Sequence, residues 1–207
     1  RNDFADNITL DQLRTLWEPS AEGEITRWNQ VNPEWPNQTL NLYGPGTQSG
    51  TFDYFTEEVV GKSKESRSDY QASEDDNVLV QGVSGDPNAL GYFGLGYFVE
   101  NQQRLQALTV DGVAPSVEAA QSGEYPLSRP LFIYVSTQAL QENPALEEFV
   151  GFYLEETNLN QAVESARFVP LPPTVAQVAR ERFQSRTTGA APEDIGIGKG
   201  EGKEEKK

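Results

Sequence analysis

Strands alternating with helices along most of the chain predict an α/β fold, a mixed sheet flanked by helices. Three observations carry that reading. A short apolar strand at Leu40-Asn-Leu-Tyr43 runs into a dense turn and then a helix. The run Arg129-Pro-Leu-Phe-Ile-Tyr-Val135 is the strongest strand signal in the chain. Apolar residues recur at helical spacing behind Leu10 and behind Pro144.

The elements follow in order. Thr9 suits an N-cap, and Leu10, Leu13, Leu16 and Trp17 give the helix its apolar face until Pro19 stops it. A Pro- and Asn-rich loop with Trp28, Pro33, Trp35 and Pro36 leads to the strand at 40–43. Gly44-Pro-Gly-Thr-Gln-Ser-Gly-Thr51 is the turn, and Phe52, Phe55, Val59 and Val60 form a helical face that ends at Gly61. Residues 62–72 read as loop. Ser73 is the expected cap of a helix whose start holds Glu74, Asp75 and Asp76 and whose face holds Val78, Leu79, Val80 and Val83. Ala89-Leu-Gly-Tyr-Phe-Gly94 reads as a buried strand, followed by a short helix through Tyr97 and Phe98. Residues 105–110 read as a strand, 117–123 as a short helix and 129–135 as a strand. A helix opens at Pro144, and a last one covers about 174–184. From 187 to 207 the composition turns to Gly, Ala, Pro, Glu and Lys without an aromatic residue, so this tail is expected to be disordered.

Composition narrows the chemistry. The 207 residues include no Cys and no His. Thiolate nucleophiles, zinc–cysteine sites, Ser-His-Asp triads and imidazole general bases are therefore excluded. Any metal would have to be a hard cation on oxygen ligands. Asp75 and Asp76 read as compensation of a helix dipole rather than as calcium ligands, so no metal and no cofactor is expected. The net charge is −16, and because the tail from Arg186 holds five basic and five acidic residues, the body carries all of it. Such a field repels phosphate backbones, and nucleic acid is not an expected partner. No run approaches the ~18 apolar residues of a membrane span. The chain opens on Arg1 without an initiator Met and reads as a piece of a longer protein.

Ser49-Gly50-Thr51 is the motif with chemistry in it. It lies where the turn meets the first turn of a helix, where backbone amides lack intrahelical partners and the dipole adds partial positive charge. Gly50 lets a ligand approach the backbone, and two hydroxyls add donors. The arrangement suits a small oxyanion held by neutral groups. On this motif alone, an ordinary serine cap without a ligand is the plainer reading. Ser49 lacks the G-x-S-x-G context and any His to activate it, so a nucleophilic role is not expected.

The run Leu42-Tyr-Gly-Pro-Gly-Thr-Gln-Ser-Gly-Thr-Phe-Asp-Tyr-Phe55 resembles the second-lobe anion loop of the phosphate-binding proteins of phosphate ABC transporters, type II periplasmic binding proteins. Ser66-Arg-Ser-Asp-Tyr70, Ser73-Glu-Asp-Asp-Asn-Val-Leu-Val-Gln-Gly82, Ala89-Leu-Gly-Tyr-Phe93 and Tyr125 to Val135 are similar to the same family in the same order, over about residues 1–185.

The resemblance implies a receptor of two α/β lobes around a cleft. Residues 1–128 would be the second lobe, and 129–186 a cross-over strand and the C-terminal part of the first. The N-terminal part of the first lobe would lie outside this chain. Ser49, Gly50 and Thr51 would bind phosphate. Many members carry an Arg and an Asp where this sequence has Pro45 and Thr47. Arg67 and Asp69 repeat that spacing one loop later, so Arg67 is the candidate guanidinium.

The implied protein is an extracytoplasmic, cell-surface or periplasmic monomer that hands inorganic phosphate to a membrane permease. It is not an enzyme. Two other classes compete: a phosphatase using the turn as an oxyanion hole, and an adhesion or sensing module on the same fold. Phosphate binding without turnover separates the receptor from both.

Overall fold

Thr9 closes the first helix as its sequence requires. Its hydroxyl accepts the Gln12 N–H at 3.1 Å while the Gln12 side chain accepts the Thr9 N–H at 2.9 Å, a reciprocal capping box. The helix, α1 (Leu10–Trp17), buries Leu13, Leu16 and Trp17 and gives way at Pro19 to a 3-10 turn. These features come from a computed structural model that describes residues 2–189. Most of the tail expected to be disordered, 190–207, lies outside the described residues.

The chain divides into two compact units, the first ending at Pro115 and the second starting at Ser116. In the first unit, β2 (Asn41–Pro45) is the middle of a parallel three-stranded sheet between β3 (Gln71–Ser73) and β4 (Ala89–Gly91). Parallel neighbours need crossovers. The first contains α2 (Gly50–Phe55) and the second is α3 (Asp76–Gly85). Gly82 lets α3 approach the sheet, because a Cβ there would collide with the Tyr43 ring. After α2 the backbone runs on as a π-helical turn, Thr56–Val60, and stops at Gly61 with φ 89°. A second, two-stranded sheet pairs β1 (Asn7–Ile8) in parallel with β5 (Thr109–Val110). Among the described residues antiparallel pairing is confined to isolated bridges such as Arg27 with Thr39.

Trp17 is the hub of this unit, 1% exposed. Its ring meets Phe55, Tyr70 and Tyr92 edge-on at 5.5, 5.3 and 4.9 Å, and Phe55 stacks on Tyr92 at 3.7 Å. Helices α1 and α2 and the ends of β3 and β4 are thereby fixed to one aromatic cluster. Each such pair adds about 0.5–1.5 kcal/mol to the burial itself.

Three expectations in this unit change. Ser73 does not cap α3; it ends β3, and Asp75 is the cap, accepting the Asn77 N–H at 2.9 Å. Residues 71–72, read as loop, are strand because β2 offers them a partner edge. The strand expected at 105–110 shrinks to Thr109–Val110, the part that β1 pairs. Helix α4 (Leu95–Glu100) stands where a short helix was expected.

Among the described residues, the regular structure of the second unit is all helix: α5 (Val117–Ser122), α6 (Thr137–Glu142), α7 (Pro144–Leu154), α8 (Glu156–Ser165) and α9 (Pro173–Gln184). Asn143 caps α7 and Pro144 takes its first position. Leu140, Val150, Leu154, Leu159, Val175 and Ala176 make its core.

The strongest strand signal is not a strand. Residues 129–136 have no regular structure, and Leu131, Ile133 and Tyr134 are 57, 54 and 81% exposed. A run that is apolar on both faces suits a strand buried between neighbours on each side. A strand also needs an adjacent edge for its N–H and C=O groups. Among the described residues of this unit there is none.

Candidate oxyanion site

β2 delivers the turn. Its carboxyl end, at the middle of a parallel sheet, is where open α/β sheets present ligand sites. Residues 46–49 then lead into α2, with Ser49 as the N-cap in extended conformation, φ −87° and ψ 130°. Buried Phe52 and Phe55 anchor the helix, so its first turn, not its side, carries Ser49, Gly50 and Thr51. The structure places these three residues together at one helix start.

The bonds around Ser49 define what it can still offer. Its N–H donates to the Gly46 carbonyl at 3.1 Å, its carbonyl accepts the Asp53 N–H at 3.2 Å, and its Oγ accepts the Thr51 N–H at 3.1 Å. The cap bond uses the hydroxyl as an acceptor and leaves its proton to donate. Ser49 and Thr51 are half-buried and Gly50 is exposed. An anion at this helix start would meet hydroxyl donors and the positive end of the dipole.

The preceding loop is held from below. Gly46 N–H donates to the Ser73 carbonyl at 3.2 Å, Gln48 N–H to the Glu74 carboxylate at 3.1 Å, and the Tyr70 hydroxyl to the Pro45 carbonyl at 2.9 Å. Burial and the Glu74 charge push the Tyr70 pKa up. The Tyr92 hydroxyl is buried without a hydrogen-bond partner, and burial pushes its pKa up further. Gly44 is the gap that admits the Tyr92 ring. In the first turn, Asp53 Oδ2 lies 3.6 Å from Lys64 Nζ.

Arg67 is placed differently from its expectation as a clamp on the anion. It is 4% exposed, and its guanidinium is committed inside the unit. Nε and Nη2 donate to Asp69 Oδ1 and Oδ2 at 2.5 and 2.8 Å, and Nη1 donates to the carbonyls of Leu16 and Ile25, each at 3.0 Å. Four bonds therefore occupy a group that has five N–H donors. No bond joins it to the Ser49–Thr51 turn. Hydrogen bonds from Arg67, and then from the Gly23 N–H, hold the Asp69 carboxyl at about 2 despite partial burial. The Arg-x-Asp spacing seen in the sequence is thus a bidentate pair. It ties residues 67–69 to the end of α1, whose last carbonyls would otherwise lack partners.

Glu74 and Tyr70 are the site residues that sequence reasoning missed. Glu74 was grouped with the acidic start of α3, where its contact with Gln48, far away in sequence, leaves no local trace. Tyr70 was legible only as part of a motif. Among the described residues no group of three or more carboxylates could hold a metal ion, and no helix is long and apolar enough to cross a membrane.

A family model described as a PBP superfamily domain matches residues 4–157. The chain is 47% identical over 194 residues to protein SphX of Synechocystis, covering 91% of this chain and 57% of that one. It is 35% identical over 178 residues to the phosphate-binding protein PstS of Staphylococcus saprophyticus, covering 83% and 52%. Its fold matches a crystal structure described as a possible phosphate binding protein from Planctomyces limnophilus. There the TM-score is 0.79 at 40% identity, covering 90% of this chain and 67% of that one. The chain thus spans little more than half the length of the curated relatives it matches.

Proposed function

The chain belongs to the PBP superfamily, and on that premise we propose that it is part of an extracytoplasmic receptor that binds inorganic phosphate for an ABC importer. One observation carries the proposal. Ser49 caps a helix start at the carboxyl end of a central parallel strand, in a chain whose relatives include proteins named for phosphate binding.

In this reading Ser49, Gly50 and Thr51 are the ligand contacts. Ser49 donates its hydroxyl proton, Thr51 adds a second hydroxyl, and Gly50 places no side chain between the helix start and the anion. Arg67 acts as a frame residue behind them, since its donors are already engaged. Residues 1–128 form one lobe of the receptor. Residues 129–135, irregular in this chain, would pair as the cross-over strand only in the full-length receptor, whose other lobe 136–186 help to build. Exposure of the apolar run at 131–134 supports this assignment, because its partner strands would come from sequence outside the chain. The partners are phosphate and a membrane permease, the receptor is a monomer, and it performs no catalysis. A sequence without His or Cys supports that last point.

Isothermal titration and amide NMR with inorganic phosphate test the proposal. Binding without turnover is expected, with the Ser49, Gly50 and Thr51 amides among those that shift. The chain alone should bind weakly, because a single lobe cannot enclose the ligand and exclude water. Hydrolysis of a phosphoester, or shifts confined to other residues, would refute the receptor reading.

A further inference from the structure

The last turn of α3 borders a cleft of about 460 Å³. Because α3 joins two strands that run parallel to β2, it returns along the sheet and ends beside the start of β4. Ser49 follows the finish of β2, so the cleft and the oxyanion turn lie at opposite ends of the sheet. Gln81, Ser84 and Gly85 of α3 form one wall, and Gln103, Arg104 and buried Leu105, from the segment after α4, complete the lining. A Cβ at Gly85 would meet nothing within 4 Å, so that rim stands open.

Arg104 is held in place there. Its Nη2 donates to Ser84 Oγ at 2.7 Å, and the Ser84 hydroxyl, on a residue 7% exposed, donates to the Gln81 carbonyl at 3.2 Å. The bond to Ser84 uses one of the five N–H donors of a guanidinium. Among the described residues no carboxylate is paired with Arg104, in a chain whose net charge is −16. The last carbonyls of α3 lack intrahelical partners, and Asp86 closes the helix without a backbone cap bond. The cleft therefore sets a cation with donors to offer beside acceptors at the negative end of a helix dipole.

We propose that this cleft binds a free amino acid as its zwitterion, with the carboxylate on Arg104 and the ammonium on the last carbonyls of α3. A planar guanidinium makes two parallel bonds to a carboxylate. An ammonium brings three N–H donors and a positive charge, which the carboxyl end of a helix favours. An inorganic oxyanion would satisfy Arg104 and leave the carbonyls without a donor. Gln81 and Gln103 add neutral amides to the lining, and the volume falls within the roughly 300–1,000 Å³ of small-molecule sites. The inference does not depend on the receptor reading of Ser49–Thr51.

L-Alanine is the probe. Propionate, which lacks its ammonium, and ethylamine, which lacks its carboxylate, are the controls. Each is titrated into the 207-residue chain at neutral pH and fixed ionic strength, with the backbone amides followed by NMR. L-Alanine should shift the Ser84, Gly85 and Arg104 amides and leave those of Ser49, Gly50 and Thr51 in place. Each control should bind roughly ten- to a hundredfold more weakly, the equivalent of one hydrogen bond to a charged group. Arg104→Gln, at an exposed position, should weaken L-alanine by a similar factor, and Arg104→Lys by less. Either control binding as tightly as L-alanine, an unchanged affinity in Arg104→Gln, or no shift at Ser84, Gly85 and Arg104 overturns the inference. The controls on the parent chain decide the matter even where a variant fails to fold, and none of these outcomes bears on phosphate binding.

Discussion

The Arg67 guanidinium grips the Asp69 carboxylate through two bonds, 2.5 and 2.8 Å, with its remaining arm on the carbonyls of Leu16 and Ile25. One buried cation thus joins the end of α1, the residues after the 3-10 turn and the loop that leads to β3. Its task is to organise, since the bidentate geometry leaves little of it for a ligand.

Arg67→Ala should consequently lower stability by about 2–5 kcal/mol, because two backbone carbonyls and a carboxylate lose their partner. Arg67→Lys should recover only part of this, as an ammonium cannot make the planar pair. Urea unfolding of the three chains measures it. A fully stable Arg67→Ala chain with impaired phosphate binding would return Arg67 to the ligand shell.

Acid stability should carry the mark of Asp69. Its folded pKa, about 2, lies below the ordinary carboxylate range, so the ionised form is favoured by folding. That contribution is fully present above the ordinary range, about 4, and is lost as pH falls through about 2. Asp69→Asn should be less stable than the parent at neutral pH, with the gap narrowing across that window. Thermal melts at a series of pH values decide the matter, and a gap that stays constant on acidification would count against the pair.

Ser49 and Thr51 should separate stability from binding. Ser49→Ala removes a cap and should cost about 0.5–2 kcal/mol of stability as well as phosphate affinity. Thr51→Ala should leave stability nearly unchanged and weaken phosphate binding roughly ten- to a hundredfold, the equivalent of one hydrogen bond to a charged group. Paired denaturation and titration of the two variants provide the check. Loss of affinity in neither would move the ligand elsewhere.

The aromatic hub predicts a large core effect. Trp17→Ala should destabilise the first unit by about 3–5 kcal/mol, since it empties a site walled by Phe55, Tyr70 and Tyr92. Because Tyr70 also holds the Pro45 carbonyl, the amides of 46–49 should broaden or shift in the same variant. Fluorescence-detected unfolding and amide spectra report the two effects.

Residues 131–135 should exchange their amide protons quickly in this chain, because no strand edge protects them among the described residues. Slow exchange at Phe132 to Tyr134 would show that pairing exists after all.

Local rules were enough for much of this protein. The Thr9 cap, the stop at Pro19, the Ser49 helix start, the Gly61 terminus and Pro144 at the head of α7 all follow from residues within a turn of one another, and the sequence shows each of them. So does the strand–turn–helix order that places Ser49 at a sheet end. The tertiary structure decided the rest, because those outcomes depend on partners distant in the chain. Residues 71–73 became strand because β2 lay beside them, and 129–135 did not because no edge was offered. Arg67 took the carbonyls of Leu16 and Ile25, which no spacing rule could assign to it. Glu74 reached Gln48 across the gap left by Gly46, turning an acidic helix start into a support for the loop before Ser49. Backbone caps are satisfied locally, whereas strand edges and buried charges are satisfied only by whatever the fold brings to them.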